Sequence, residues 1–230
     1  MQHAKQSAGT LLSPGGPGQA FIDHINNSLF PCIAARSAVK AGKIAIYESP
    51  HLACPIDDQS ILQFLYDFVD SYRENDDHFT SAAVLFHGPC KISEDEFESL
   101  LWRKLQALHD LDCQNYQYDK RVESNPDSKN FSFSLKEEAF FIIGLHPGSS
   151  RHARNFKYPA IVFNPHQQFE KLRADNRFEK MKMVIRKRDV DITGSINPML
   201  SDFGERSETF QYSGKVYDAG WTCPLKINHE

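Results

Sequence analysis

The chain predicts an α+β fold: a single compact domain with a central buried sheet flanked by helices. Three observations lead there. Two short, dense apolar runs, Ala139 to Leu145 and Ala160 to Phe163, have the length and composition of buried strands. Segments with apolar residues at helical spacing are interleaved with such runs along the whole chain. The connections between them are too irregular for repeated βαβ units, so a doubly wound sheet is disfavoured. At 230 residues the chain suits one large domain. We place a disordered tail at residues 1–18 and the domain at 19–230.

The tail contains LLSPGGPG, which holds neither helix nor strand. Gln19 to Ser28 forms a short amphipathic helix with Phe21, Ile22 and Ile25 on one face. Pro31 turns the chain, because the residue before a proline avoids helical dihedrals. A second helix starts near Cys32 on Ala34, Ala35 and Ala38. Lys43 to Tyr47 alternates as a strand, and Glu48 to Pro55, with two prolines, reads as a loop. Asp57 or Asp58 caps a long helix through Tyr72. Ala82 to Phe86 is a buried strand. Ser93 opens a capping box with Glu96, starting a helix through Leu108. Residues 112–130 lack an apolar period and read as a loop, followed by a short edge strand at Phe131 and Phe133. After the two central strands come helices at Gln167–Arg173 and Phe178–Arg188, the second with Met181, Val184 and Ile185 inward. From Val190 onward the chain is rich in Gly, Ser, Pro and Asn, and Tyr212, Tyr217 and Trp221 tie it to the body.

Composition narrows the function classes. A net charge of −4 argues against a general nucleic-acid binder. No apolar run reaches the length of a membrane span, and no secretory leader is visible. Five widely spaced cysteines without a CxxC read as reduced thiols, which places the protein in the cytoplasm.

Chemistry concentrates between the central strands. His146 follows a strand directly; it could ligate a metal or haem iron, act as acid or base, or be a hydrogen-bonded structural residue. Ser149, Ser150, Arg151 and Arg154 follow it. The arginine forks suit carboxylate or phosphate oxygens, haem propionates included, and could equally be surface charge. Cys32, at a helix start, has the setting of a thiolate ligand or nucleophile, or of a small buried hydrophobe. His166 begins a helix and could be a ligand, a proton donor or part of the helix start. Asp202, Glu205 and Glu208 lie in a Gly-containing loop where carboxylates would meet a cationic group, or only solvent. No GxGxxG strand–turn–helix fingerprint for a flavin or nicotinamide is present.

Six pieces in this order resemble a known family: LFPCIAARSA (Leu29–Ala38), FFIIGLHPGSSRHARNF (Phe140–Phe156), PAIVFNPHQQFEKLR (Pro159–Arg173), IRKRDVDITGSINPML (Ile185–Leu200), DFGERSETFQYSGK (Asp202–Lys215) and WTCP (Trp221–Pro224). The series is similar to the YqcI/YcgG family from about Phe21 to Pro224. It departs from it at Lys215, where arginine is expected. Members of that family include haem-dependent N-oxygenases that hydroxylate nitrogen of arginine-like guanidines or amines. The resemblance therefore implies haem b, O2 as cosubstrate, an external electron donor and a small cationic substrate. Carried onto this chain, it places His146 or Cys32 on the iron, with His146 first. It places Arg151 and Arg154 on the propionates and His166, Ser149 or Ser150 as proton donor, with Asp202, Glu205 or Glu208 on the substrate. The alternatives are a haem-binding or haem-sensing protein without turnover, and a haem-free hydrolase or transferase using His146 with the arginine pair.

Overall fold

The computed structural model describes residues 15–75, 79–218 and 220–227. Helices α1 (Pro17–Asn26) and α2 (Ile33–Lys40) precede strand β1 (Ile44–His51). Helix α3 (Asp58–Asn75), strand β2 (Ser81–Gly88) and helix α4 (Glu94–Asp112) follow. A long loop leads to β3 (Phe133–Leu135), β4 (Glu138–Leu145) and β5 (Ala160–Pro165), then to α5 (His166–Ala174), α6 (Phe178–Thr193) and the single turn α7 (Thr209–Tyr212). The five strands form one sheet in the order β1-β2-β5-β4-β3. Only β1 and β2 run parallel; the remaining pairs are antiparallel. The α+β expectation of a central sheet flanked by helices is thus met.

Residue parity along the strands divides two cores. Ala82, Val84 and Phe86 of β2, Phe140 and Ile142 of β4, and Ile161 and Phe163 of β5 face α3 and α4. Ala83, Leu85, Leu145 and Val162 face α1, with Phe21 and Ile25. Because both faces are covered, the strands read as continuous apolar runs rather than alternating ones. The α3–α4 layer is anchored by local chemistry. Ser93 Oγ accepts from Glu96 N (3.2 Å) while Ser93 N donates to Glu96 Oε2 (2.9 Å), closing the capping box. Lys104 of α4 is buried against Asp58 of α3 and donates to Cys54 O (2.8 Å).

Strand β3 is short, pairing only with Glu138, Ala139 and Phe140 of β4. Beyond them, the edge of β4 is covered by the chain around α7. A Cβ on Gly144 would lie 2.7 Å from the Phe97 ring and 2.9 Å from Tyr212 O, so glycine lets α4 and α7 press onto the strand there. Tyr212 is fully buried, and Trp221 meets Trp102 and Tyr217 at 5.9 and 3.9 Å, which fixes the C-terminal segment as expected.

Several boundaries differ from the sequence expectation. Helix α1 already starts at Pro17, inside the predicted disordered tail, because proline is favoured in the first turn of a helix. Residues 1–14 of that tail lie outside the described residues. Strand β1 continues through Glu48 to His51, where a loop was expected; β1 is an edge strand, and its outer side tolerates Pro50. Helix α6 runs on to Thr193 and stops at Gly194, whose φ of +78° is the left-handed cap that glycine favours. Its Val184 points to solvent, 45% exposed, rather than inward.

Candidate functional site

A cavity of about 330 Å³ opens on the α1 face of the sheet. Its floor is Ile143, Leu145 and Val162, and its walls come from α1, α2, α5, α6 and residues 197–211. The volume is in the range of small-molecule sites, about 300–1,000 Å³. Phe21, Phe30, Phe141, Phe169, Phe178 and Phe203 make much of the wall apolar. Five cationic side chains, Arg151, Arg154, Arg173, Lys182 and Arg186, line it against three anionic ones, Asp189, Asp202 and Glu208. The cavity therefore offers an apolar interior with a formal excess of two positive charges.

Of the ten residues singled out in the sequence, the fold brings six to this cavity: Cys32, Arg151, Arg154, His166, Asp202 and Glu208. Cys32 is the N-cap of α2, and its Sγ accepts from Ala35 N (3.5 Å). Burial pushes the thiol above its ordinary range, while the N–H groups of Ala35 and Ala34 and the charge of Arg154 pull it down. Arg151 is held by Asp189 (2.6 Å) and donates to Ser195 O (3.2 Å). Arg154 has no carboxylate on it. It donates through Nη1 to Gly144 O (3.0 Å) and Tyr212 O (3.4 Å), and through Nη2 to Gln211 O (2.9 Å). Burial lowers its pKa to about 10, so it stays charged at neutral pH. Both arginines line the cavity, but much of their donor capacity is already used by the protein.

His166 lies between two carboxylates: Glu170 Oε1 is 3.3 Å from Nε2 and Glu208 Oε1 is 3.6 Å from Nδ1. Its Nδ1 is buried without a hydrogen bond, and its ring meets Phe203 at 4.4 Å. Glu208 Oε2 accepts from Ser132 Oγ (2.9 Å) and Tyr212 OH (3.4 Å). Asp202 is held by Lys182 (2.6 Å) and Arg186 (3.5 Å). Among the three acids from the sequence, Glu208 alone lines the cavity without a lysine or arginine partner among the described residues.

Four residues are not at the cavity. Glu205 is exposed and accepts from Asp202 N (3.1 Å). Ser150 donates through N and Oγ to Glu94 (2.9 and 2.8 Å), and Ser149 is folded onto the Arg151 backbone (3.3 Å). His146 follows the even-numbered residues of β4 to the opposite face, where its ring stacks on Phe97 at 4.2 Å. It is therefore not placed with the arginine pair around a common ligand. Burial, with Arg154, lowers its pKa to about 4 against the pull of Glu94.

That shift has a definite sign. The unfolded chain takes up this proton near pH 6.5 and the folded one only near 4, so stability falls as pH drops through that window. Asp112 opposes it. Burial raises its carboxyl to about 6, so its contribution is present at low pH and is lost as pH rises from 3.8 to about 6. Subtracting a His146→Gln variant from the wild type in urea unfolding isolates the histidine. The difference should change by on the order of 2 kcal/mol between about pH 7 and 4, allowing for solvent screening. A difference independent of pH would place His146 elsewhere. Arg154 gives a second test. Arg154→Ala leaves three carbonyls without their donor and should lower stability by about 2–4 kcal/mol in denaturant titration.

The cationic residues of α6 escaped the sequence reading, although a signal was present. Phe178, Met181, Lys182, Ile185, Arg186 and Asp189 line the cavity at helical spacing. The polar members of that stripe are the sign of a site rather than of a core.

A haem would make three demands: an apolar slot, counter-charges for two propionates and an axial donor. The aromatic walls, the two excess positive charges and the Cys32 thiol match them chemically. All five cations already have partners, Arg151 on Asp189, Lys182 and Arg186 on Asp202, Arg173 on Glu170 and Arg154 on three carbonyls, so propionates would compete with these contacts. Among the described residues no three His, Cys, Asp or Glu side chains converge as around a bare metal ion. No described helix is long and apolar enough to cross a membrane.

Comparison with known proteins agrees with the resemblance in the sequence. The model of the YqcI/YcgG family matches residues 20–226. A Bacillus subtilis (strain 168) protein described as "Uncharacterized protein YqcI" is 28% identical over 184 residues, covering 77% of this chain and 71% of the relative. No solved structure matches the chain.

Proposed function

The chain belongs to the YqcI/YcgG family, and from that premise we propose that it is a haem-dependent N-oxygenase acting on a guanidine or amine nitrogen of a small cationic molecule. The observation that carries this reading is a single cavity, rich in phenylalanine, that both Cys32 and Glu208 line. Bound haem would supply the activation of O2 by external electrons. Cys32 would hold its iron, in preference to His146, because His146 lies behind the sheet against Phe97. A helix N-terminus and a backbone N–H on sulfur both favour a thiolate once a metal cation replaces the thiol proton.

The other residues bind, orient and move protons. Glu208 attracts the substrate cation, since its partners among the described residues are the Ser132 and Tyr212 hydroxyls and the His166 imidazole rather than a lysine or arginine. His166 presents Nδ1 toward Glu208 and exchanges protons at Nε2 through Glu170, whose side chain is 50% exposed.

Haem titration of the purified protein should give a Soret band, and the loaded protein should consume O2 and reductant with a guanidine or amine substrate. Absence of haem uptake defeats the reading; uptake without substrate-dependent turnover turns it into haem sensing. Glu208→Gln should raise KM for a cationic substrate on the order of tenfold or more while leaving haem uptake intact. An unchanged KM would remove Glu208 from the substrate.

A further inference from the structure

We infer that the outer face of α5 and α6 is the docking surface for an acidic electron-transfer protein, an inference that rests on the proposed oxygenase reading. Residues 166–193 carry eight Lys and Arg against five Asp and Glu, in a chain whose totals are 26 against 30. Three of these cations, Arg173, Lys182 and Arg186, line the cavity, and Arg177, Lys180 and Lys187 are exposed alongside Asp175, Glu179 and Asp191. Two of the five acids pair with cations of the same helices, Glu170 with Arg173 and Glu179 with Lys182, and Asp189 pairs with Arg151, which leaves Asp175 and Asp191 without a lysine or arginine partner among the described residues. Lys180, Lys187 and Arg177 are exposed and have no carboxylate partner among the described residues.

Between these cations lies an apolar groove, lined by Ile33, Ala34, Phe79, Leu172, Met181 and Val184. Met183, next to it, is 61% exposed, and Val190 one turn beyond Arg186 is 38% exposed. Only Asp189 of the sixteen residues of α6 is fully buried, so this helix spends little of its surface on the protein's own core. The charged residues that line the groove itself, Arg177 and Lys180, are both cations, and an apolar centre flanked by cations can steer an acidic partner and then hold it.

Position makes the surface specific to electron delivery. Ala34, Phe79 and Met181 line both the groove and the cavity, so a single layer of side chains separates them. Ile33 and Ala34 follow Cys32 directly in α2. A donor seated in the groove would stand beside the residue proposed to hold the iron. The donor is an iron–sulfur or flavin protein with an acidic face. Each encounter oxidises it by one electron and reduces the cofactor by one, and no bond is made or broken. No flavin or nicotinamide fingerprint is present in this sequence, in keeping with a separate electron donor.

The test uses the full chain with an oxidised plant-type [2Fe–2S] ferredoxin and, separately, a flavodoxin as probes. Without haem, calorimetry at low salt should show binding to at least one of them that weakens steeply with ionic strength. The double charge reversal Lys180→Glu/Lys187→Glu should weaken binding about tenfold or more. Lys120→Glu, outside this surface, should not. With haem, the reversal should slow reduction by the protein donor by a similar factor while dithionite reduces both forms alike. Binding of neither probe, or binding indifferent to the reversal, overturns the inference. So does capture of anionic phosphatidylglycerol vesicles through the same lysines with no ferredoxin or flavodoxin binding. Haem uptake and dithionite reduction test the oxygenase reading separately, so its failure is distinguishable from failure of the surface.

Discussion

Gly148→Ala is expected to lower the melting temperature by about 10 °C or to prevent folding. A Cβ at Gly148 would lie 2.0 Å from Ile92 O and 3.1 Å from Ile92 C, well inside any tolerated contact. Neither side can give easily. Ile92 precedes the capping box that starts α4, and the loop after Gly148 is tied back to the same helix by Ser150 on Glu94. Overpacking costs about 1–3 kcal/mol and more where backbone must move. At 150–250 residues each kcal/mol is worth about 2–4 °C. Gly220→Ala, where nothing lies within 4 Å of the added Cβ, is the control and should melt within about 2 °C of the wild type. A Gly148→Ala protein that melts with that control would show that the loop does not approach Ile92 so closely.

The same loop explains what the sequence could and could not reveal. Two histidines, two arginines and two serines in nine residues mark it as unusual, and it is unusual in structure. Its polar groups, however, serve a joint as much as a site: Ser149 turns on Arg151, Ser150 grips α4, and Arg154 closes the open edge of β4. Strand positions were legible because apolar runs and their turns are local signals. The facing of His146 was not. Both faces of β4 are buried, so residues 140, 142 and 144 and residues 141, 143 and 145 are similarly apolar, and parity carries no label in the sequence. Only the pairing partners decide that even positions meet Phe97 and odd ones the cavity.

Long-range assembly accounts for the rest. The cavity joins Cys32 to residues more than a hundred positions away, and no local pattern encodes that closure. The stretch from Asp202 to Glu208 was recognised as acidic, yet each acid has a different fate: Asp202 is neutralised by α6, Glu205 faces solvent, and Glu208 faces His166. Those fates follow from long-range packing, in which Lys182 and Arg186 of α6 reach Asp202.

Separate alanine replacements of Cys32 and His146 should give opposite signatures. Cys32→Ala takes the one thiol from the cavity wall, so haem affinity should fall at least about 100-fold, beyond the 10–100-fold that loss of an outer-shell partner costs. Any haem that remains should show a shifted ferric Soret band. Folding should suffer modestly, by about 1 kcal/mol, because Cys32 is half-buried at the start of α2 and its sulfur is the cap that accepts from Ala35 N. His146→Ala should leave the ferric spectrum unchanged while lowering stability by about 2–4 kcal/mol, since it removes a ring stacked on Phe97 and leaves a void behind the sheet. The two measurements are independent: one reads the iron's ligand field, the other the packing of the core. A wild-type spectrum in Cys32→Ala, or a changed one in His146→Ala, would move the cofactor to the other face of the sheet. The α6 surface would then lose its closeness to it as well.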